Sequence, residues 1–213
     1  MPRLRLKQLE NYLESVDDFD NPKILLEQYA TRPHIAACVL HSIESQFGDI
    51  ANKSICDVGC GSGRLSIGCS LLGASYVLGI DIDEDALDNC KDNIEGYEAT
   101  CVDLLQMDAL FIPDRLRKSF DVAIMNPPFG TKHNKGIDIR FLKAGLSLAR
   151  TAVYSLHKTS TREHILKVCT DWGVKPRVLA QLRYDIPATY KHHKKKLVDI
   201  DVDFYRFEPA PTK

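Results

Sequence analysis

A short apolar segment that ends in two prolines constrains the fold of this chain more than any other feature. Residues 120–125 (FDVAIM) are β-prone and mostly apolar, as in a parallel strand that is covered on both faces. Asn126-Pro127-Pro128-Phe129 follows at once, and neither proline can continue a central strand. The strand therefore ends there, and the stiff backbone holds the next side chains at the edge where open α/β sheets bind ligands.

This tetrapeptide suits a flat substrate that carries an amino group. An exocyclic amine is a poor nucleophile because its lone pair is delocalised, and acceptors on its N–H groups help the nitrogen to pyramidalise. The side-chain oxygen of Asn126 and the carbonyl of Pro127 are candidate acceptors, and the ring of Phe129 is a candidate stacking surface. We therefore predict a catalytic role for residues 126–129, with a simple turn as the alternative.

A glycine-rich turn upstream points to the cofactor. Residues 53–58 are predicted to form the first strand, and the sequence GCGSG, which begins at Gly59, then leads into a helix. A dinucleotide-binding GxGxxG pattern would need glycine at position 64, where this chain has Arg64. The GxGxG form is the one that S-adenosylmethionine sites use, so Gly59, Gly61 and Ser62 are predicted to bind that cofactor.

Carboxylates follow the next two predicted strands. Residues 76–80 lead to Asp81, which is placed to accept the ribose hydroxyls of a nucleoside, whereas Asp83 is expected to begin the following helix. Residues 101–107 form the third predicted strand, and Asp108 beyond it is a candidate acceptor for the adenine amino group, with a turn as the alternative. Every candidate follows the carboxyl end of a strand, and this agreement supports one shared site.

The two ends of the chain add helices and further strands. An apolar stripe over residues 6–16 predicts an opening helix, and a second helix is predicted over 32–47 with Thr31 as its N-cap. The remaining predicted strands are 151–156, 178–184 and 198–207, of which the last alternates as a half-exposed antiparallel strand does. The predicted fold is α/β, a doubly wound, mostly parallel, seven-stranded Rossmann-like sheet with an antiparallel last strand and N-terminal helices.

Composition favours one domain over residues 1–213. The chain is 44% hydrophobic and 27% charged with a net charge of −1, so it lacks a uniformly basic surface for nucleic acid. We divide it into a helical cap and cofactor lid (1–50), a catalytic sheet (51–207) and a disordered tail (208–213). Seven cysteines without a CxxC pair indicate reduced thiols in a cytosolic or nuclear protein, and we expect no metal site and no membrane segment.

Contact with nucleic acid must then come from local basic segments. The densest basic run lies between the last two predicted strands and combines lysines and histidines with one tyrosine, which favours RNA contact over nuclear import or a solvated loop. A loop after Phe129 carries two further lysines. The candidate RNA-binding residues are Lys132, Lys135, Tyr190, Lys191, His192, Lys194, Lys195 and Lys196.

The motifs together are similar to those of a known family. DVGCGSG (57–63), GIDIDEDAL (79–87) and IMNPPFGTKHNKGID (124–138) resemble the class I S-adenosylmethionine-dependent methyltransferases that modify amino nitrogens. The resemblance to the adenine-N6 methyltransferases of small-subunit ribosomal RNA covers the chain from about residue 3 to 207. Its further motifs are EQYAT (27–31), ARTAVYSLHK (149–158) and YKHHKKKLVDIDVD (190–203).

The resemblance implies methyl transfer from S-adenosylmethionine to N6 of a flipped-out adenosine in small-subunit (18S) ribosomal RNA. It also implies a small zinc-binding activator subunit of the tRNA methyltransferase 112 type, for which a strand edge at 101–107 is the expected docking site. We expect the protein in the nucleus, including the nucleolus, and in the cytoplasm. The implied cofactor contacts are Gln28, Thr31, Gly59, Gly61, Ser62, Asp81, Asp108 and Ala109.

Two other functions stay open at the level of sequence. Asn-Pro-Pro-aromatic sites also methylate the glutamine amide of release factors, and that amide poses the same problem of nucleophilicity. A non-catalytic, RNA-binding scaffold in ribosome assembly is the second alternative. The basic run at residues 191–196 favours nucleic acid over a peptide substrate.

Overall fold

The structure, a computed structural model, describes residues 4–130, 134–187 and 197–210. The strands are β1 (Ser54–Val58), β2 (Tyr76–Asp81), β3 (Val102–Gln106), β4 (Phe120–Met125), β5 (Ala149–Lys158), β6 (Lys175–Pro187) and β7 (Leu197–Glu208). The α-helices are α1 (Leu6–Glu14), α2 (Pro33–Phe47), α3 (Arg64–Leu71), α4 (Glu84–Gly96), α5 (Ile137–Leu148) and α6 (Arg162–Trp172). Single 3₁₀ turns span Ile24–Leu26, Asp114–Leu116 and Thr159–Thr161.

The strands form one sheet in the order β3-β2-β1-β4-β5-β7-β6. The first five of these pair in parallel, and β7 lies antiparallel between β5 and β6. The order changes direction between β1 and β4, so a crevice opens beyond the carboxyl ends of these two strands. The predicted fold class, with its antiparallel last strand and N-terminal helices, is confirmed.

Apolar residues on both faces of the central strands build two cores. β1 and β4 are buried along nearly their whole length, which explains why neither shows a strict alternation of apolar and polar residues. One face of the sheet packs on α1, α2 and α3, and the other face packs on α5 and α6. The ends of the central strands therefore meet at a single rim.

The boundaries of some elements differ from those predicted. β5, β6 and β7 are longer, because their pairing continues beyond the alternating segments, and β6 pairs with β7 as far as Lys175 and Pro187. β7 includes Glu208, so the predicted start of a disordered tail at 208 is wrong, and residues 211–213 lie outside the described chain. The predicted N-cap is also wrong, because α2 begins after Arg32 and the hydroxyl of Thr31 lies elsewhere.

All seven cysteines are free thiols, and five of them are buried. This arrangement agrees with the predicted reduced state. No helix in the described ranges is both long and apolar enough to cross a bilayer.

A buried arginine ties the amino-terminal segment to the sheet. Arg64 begins α3 and is only 5% exposed. Its guanidinium donates hydrogen bonds to three main-chain oxygens, those of Leu13 (3.2 Å), Val16 and Thr31 (2.8 Å). It also pairs with Asp18 at 2.6 Å. The sequence pattern indicated only that Arg64 excludes a dinucleotide fingerprint, and its anchoring role was not predicted.

Replacement of Arg64 with methionine is expected to lower the free energy of unfolding by about 3 kcal/mol, because three main-chain oxygens lose a charged donor. Urea denaturation followed by circular dichroism measures the change. The matched control is Arg140→Met on the exposed face of α5, which should stay within about 0.5 kcal/mol of wild type. Equal losses at the two positions would contradict the anchoring role.

Candidate functional site

A cleft of about 230 Å³ opens at the carboxyl ends of β1, β2 and β4. The structure brings most of the predicted site residues together around it. Those that line the cleft are Gln28, Thr31, Gly59, Gly61, Ser62, Asp81, Asp108, Ala109, Asn126 and Pro128. Pro127 and Phe129 are buried next to this lining. Contacts with cofactor and substrate are predictions for all of them.

The glycine turn after β1 packs too tightly for larger residues. Gly61 and Gly63 have φ angles of +53° and +83°, in the left-handed region that side chains disfavour. A Cβ at Gly61 would lie 2.6 Å from the ring of Phe19, and one at Gly63 would lie 2.4 Å from Sγ of Cys90. The turn therefore holds its backbone close to the cleft while the amino-terminal segment and α4 press on it from outside.

Asp81 links this turn to the end of β2. Its Oδ2 accepts a hydrogen bond from the Gly61 N–H at 2.9 Å, and its Oδ1 accepts one from the Asp83 N–H at 3.0 Å. Burial raises the pKa of Asp81, and the main-chain N–H groups that bind the carboxylate oppose that shift. Each carboxylate oxygen has room to accept a further hydrogen bond in addition to the one from the main chain. The site thus suits the predicted contact with ribose hydroxyls.

A strap of residues 23–28 contributes Leu25, Leu26 and Gln28 to the lining of the cleft. Nε2 of Gln28 donates to Asp83 at 2.6 Å, and the ammonium of Lys23 pairs with the same carboxylate. On the other side, Nδ2 of Asn134 donates to the main-chain oxygen of Leu25 at 2.9 Å. Asp83 is the N-cap residue of α4, as its position in the sequence indicated, but its side chain fastens the strap and makes no capping bond.

Asn126 follows β4, and two hydroxyls hold its side-chain amide. Nδ2 donates to Oγ1 of Thr31 at 2.9 Å and to the hydroxyl of Tyr184 at 2.8 Å. Oδ1 is buried and has no hydrogen-bond partner within the described residues. A buried polar atom without a partner lowers stability. A ligand that binds to this atom would explain why it is kept. The side chain offers a single fixed acceptor.

Phe129 and Tyr184 form an edge-to-face pair, and the hydroxyl of Tyr184 contacts Asn126. Their ring centroids lie 5.5 Å apart at an interplanar angle of 80°. Phe129 is 5% exposed and Tyr184 is 1% exposed, so both rings belong to the core below the cleft. Tyr184 was not predicted as a site residue. Its place near the end of a strand carries no sequence signal, because the contact depends on how the sheet curves.

Asp108 forms a turn and lines the cleft, and its predicted contact with the adenine of the cofactor stays a prediction. Its Oδ1 accepts a hydrogen bond from the Leu110 N–H at 2.9 Å, as in a turn, and the residue also lines the cleft beside buried Ala109. One more carboxylate oxygen is available to a ligand. Together with the glycine turn and Asp81, this donor and acceptor set fits a nucleoside cofactor such as S-adenosylmethionine.

The predicted RNA-binding residues are only partly covered by the structure. Lys135 is described and is exposed, on the loop that precedes α5. The others, Lys132, Tyr190, Lys191, His192, Lys194, Lys195 and Lys196, lie outside the described residues. Within the described ranges, no group of three His, Cys, Asp or Glu side chains is arranged to hold a metal ion.

Asp57 lies in β1, directly below the glycine turn, and is completely buried. The Ser66 hydroxyl donates to its Oδ2 at 2.7 Å, and its Oδ1 has no partner in the described part of the chain. Burial raises the pKa of Asp57 to about 7. The folded protein therefore binds a proton here over a pH range in which the unfolded chain has released it.

Comparisons with known proteins agree with this geometry. The family model for ribosomal protein L11 methyltransferase (PrmA) matches residues 33–126. The chain is 57% identical to the rRNA N(6)-adenosine-methyltransferase METTL5 of Danio rerio, over 97% of this chain and 100% of the relative. It is 54% identical to the rRNA N(6)-adenosine-methyltransferase Mettl5 of Drosophila melanogaster, over 98% of each chain. A proposed RNA methyltransferase from Pyrococcus horikoshii has a solved structure that matches with a TM-score of 0.83 and 33% identity, over 97% of this chain and 96% of that chain.

The raised pKa of Asp57 predicts a pH dependence of stability. The free energy of unfolding should fall as the pH rises from 5 to 7, by up to about 1.4 kcal/mol per pH unit. In this range the folded state binds a proton at Asp57 that the unfolded chain has released, and binding that proton becomes less favourable as the pH rises. Asp57→Asn keeps an acceptor for Ser66 and should flatten this slope. Chemical denaturation at several pH values measures it, with exposed Asp92→Asn as the control. An Asp57→Asn slope equal to that of wild type would refute the assignment.

Proposed function

Because the chain belongs to the METTL5 family of rRNA N6-adenosine methyltransferases, we propose that it transfers a methyl group from S-adenosylmethionine to N6 of an adenosine in small-subunit ribosomal RNA. Membership rests on identities of 57% and 54% over nearly the full length of both relatives. The structural observation that carries the proposal is the unpartnered Oδ1 of Asn126 at the end of β4. It offers an acceptor where an amino group is to be activated.

The residues around Asn126 supply positioning and need no ionised base. Oδ1 of Asn126 and the main-chain carbonyl of Pro127 accept hydrogen bonds from the amino group of a flipped-out adenine. These bonds draw the nitrogen lone pair out of conjugation and direct it toward the methyl donor. The nitrogen–methyl bond forms as the sulfur–methyl bond breaks, and N6 then releases one proton to solvent. Stacking of the base on Phe129, worth about 1–3 kcal/mol, requires that this buried ring be uncovered when the substrate enters. Positioning of the two reactants supplies the rest of the rate enhancement.

The cofactor belongs in the cleft next to this amide. S-adenosylmethionine, when bound, supplies a methyl group on a positively charged sulfur and leaves as a neutral thioether. Asp81 holds the ribose hydroxyls, and Asp108 with Ala109 holds the adenine. The turn at Gly59 and Gly61 allows close approach to the backbone. The lining of the cleft and the methyltransferase relatives support these roles.

The similarity to a protein methyltransferase does not favour a peptide substrate. The match to the ribosomal protein L11 methyltransferase model covers residues 33–126 and so stops at Asn126. It includes β1, β2 and β3 with their turns, where the cofactor is proposed to bind. The relatives from Danio rerio and Drosophila melanogaster, which match along nearly the whole chain, are named as rRNA N(6)-adenosine-methyltransferases. The acceptor is therefore assigned from the full-length similarity.

RNA contact and cellular location extend the same proposal. Lys135 and the basic residues of the 190–196 segment are the proposed contacts to the RNA backbone. Small-subunit ribosomal RNA is made in the nucleolus and works in the cytoplasm, so the protein is assigned to the nucleus, including the nucleolus, and to the cytoplasm.

A small zinc-binding activator subunit is proposed to cover the edge of the sheet at β3. This strand ends the sheet on one side, so its outer main-chain groups have no neighbouring strand among the described residues. Phe111, a few residues beyond it, is 73% exposed. An open edge beside exposed apolar surface favours aggregation unless a partner adds a strand to it.

Replacement of Asn126 with alanine is expected to abolish N6-methyladenosine at the target site, with a loss of at least about 100-fold in methylation rate. The measurement is mass spectrometry of nucleosides from small-subunit ribosomal RNA, in cells that carry wild type, no protein or the variant. Asn21→Ala, at an exposed position, is the matched control and should restore the wild-type level. Wild-type levels of the modification in Asn126→Ala cells would sink the proposal.

A proline in place of Leu104, in the middle of β3, is expected to abolish co-purification of the activator, because proline removes a main-chain donor and distorts the edge. Leu104→Ala keeps the backbone and should retain the partner. Affinity purification followed by protein mass spectrometry compares the two, and circular dichroism checks the fold of each. Intact co-purification with a folded Leu104→Pro variant would exclude this edge as the interface.

A further inference from the structure

Two hydroxyls from distant parts of the chain meet at the amide of Asn126. Tyr184 comes from β6, which is separated from β4 in the sheet by β5 and β7. Thr31 comes from the segment before α2, and its main-chain oxygen is held by Arg64 at 2.8 Å. Tyr184 is 1% exposed and Thr31 is 8% exposed, so water has little access to either hydroxyl. Both hydroxyls are therefore committed to the amide nitrogen that they accept from.

The observed hydrogen bonds fix which way the amide points. Nδ2 carries two protons, and the hydroxyl oxygens of Thr31 and Tyr184 accept one each, at 2.9 and 2.8 Å. An amide turned over would direct both N–H groups to the buried position of Oδ1, where the described residues provide no partner. Two buried donors would then lack partners in place of one acceptor. The hydroxyl pair therefore favours the observed orientation.

This orientation of the amide determines which of its atoms faces a substrate. With Nδ2 occupied, Oδ1 is the atom left without a partner in the described structure. An amide turned over would present N–H groups to the amino group of a substrate, and two donors cannot bond each other. Burial raises the pKa of Tyr184, although the hydrogen bond from Asn126 opposes the shift, so the tyrosine keeps its proton at neutral pH.

We propose that Tyr184 and Thr31 are positioning residues, which lock the Asn126 amide so that its oxygen receives the substrate amino group. The inference rests on the proposed function and adds two residues to its site. It also gives the amino-terminal segment a task in the reaction, because Arg64 anchors Thr31 beside the catalytic amide. Tyr184 has a second task, since its ring packs against that of Phe129.

The first test is Tyr184→Phe, which removes the hydroxyl and keeps the ring against Phe129. Methyl transfer to small-subunit ribosomal RNA is measured with protein purified together with the subunits that accompany it. The expected result is a fall of about tenfold in kcat, with KM for RNA and Kd for S-adenosylmethionine unchanged, because one orienting hydrogen bond is lost. A wild-type kcat in this variant would overturn the role of Tyr184.

A double variant separates positioning from general stability. If Tyr184 acts only through the amide, adding Tyr184→Phe to Asn126→Ala causes no further loss of kcat. A second, multiplicative loss would refute the inference. Tyr154→Phe is the matched control, because Tyr154 is also a buried tyrosine and its hydroxyl donates to Asp49 at 2.6 Å, away from the cleft. It should lower the Tm and leave kcat at the wild-type value.

Thr31 provides an independent route if Tyr184→Phe does not fold. Thr31→Val removes the hydroxyl at constant shape and should lower kcat about tenfold, whereas Thr31→Ser restores the hydroxyl and should stay within about twofold of wild type. Equal kcat values for the valine and serine variants would overturn the role of Thr31.

The outcomes also distinguish this inference from the proposed function. Loss of activity in Asn126→Ala together with wild-type kcat in both Tyr184→Phe and Thr31→Val would remove the inference and leave the function standing. Wild-type activity in Asn126→Ala would overturn both.

Discussion

The end of β4 is the constraint on which the site depends. Two prolines stop the strand beside β1, at the point where the order of the sheet changes direction, so Asn126 must project at the rim of the crevice. The turns that follow β1 and β2 open at the same rim, and a hydrogen bond from the Gly61 N–H to Asp81 joins them. A cofactor pocket and a polar amide thus become neighbours because three parallel strands end together.

The amino-terminal segment contributes residues to this site. Its main chain bends around the guanidinium of Arg64, a buried charge whose donors are satisfied by carbonyl oxygens and by Asp18. Transfer of a charge from water into the protein interior is costly, so the buried guanidinium is stable only while all its hydrogen-bond partners are in place. The same arginine therefore stabilises the fold and sets the position of Thr31.

Two buried polar atoms near the rim are left without partners in the described chain, Oδ1 of Asp57 and Oδ1 of Asn126. Each lowers stability, and most native proteins contain few such atoms. Asp57 responds to burial by a raised pKa, whereas the amide of Asn126 cannot ionise and keeps its acceptor. Local violations of this kind concentrate at functional sites, where a ligand provides the missing partner.

The sequence by itself determined the α/β class, the order of the elements, and the set of residues at the carboxyl ends of the strands. These follow from local patterns, since prolines end strands, glycines form tight turns, and carboxylates after strands share one rim. Only the tertiary structure decided the contacts between Tyr184, Thr31 and Asn126, the anchoring by Arg64 and the true lengths of β5 to β7. Tyr184 and Asn126 are 58 residues apart and lie on strands that are not neighbours, and no local pattern encodes how a sheet curves to bring two such side chains within 2.8 Å.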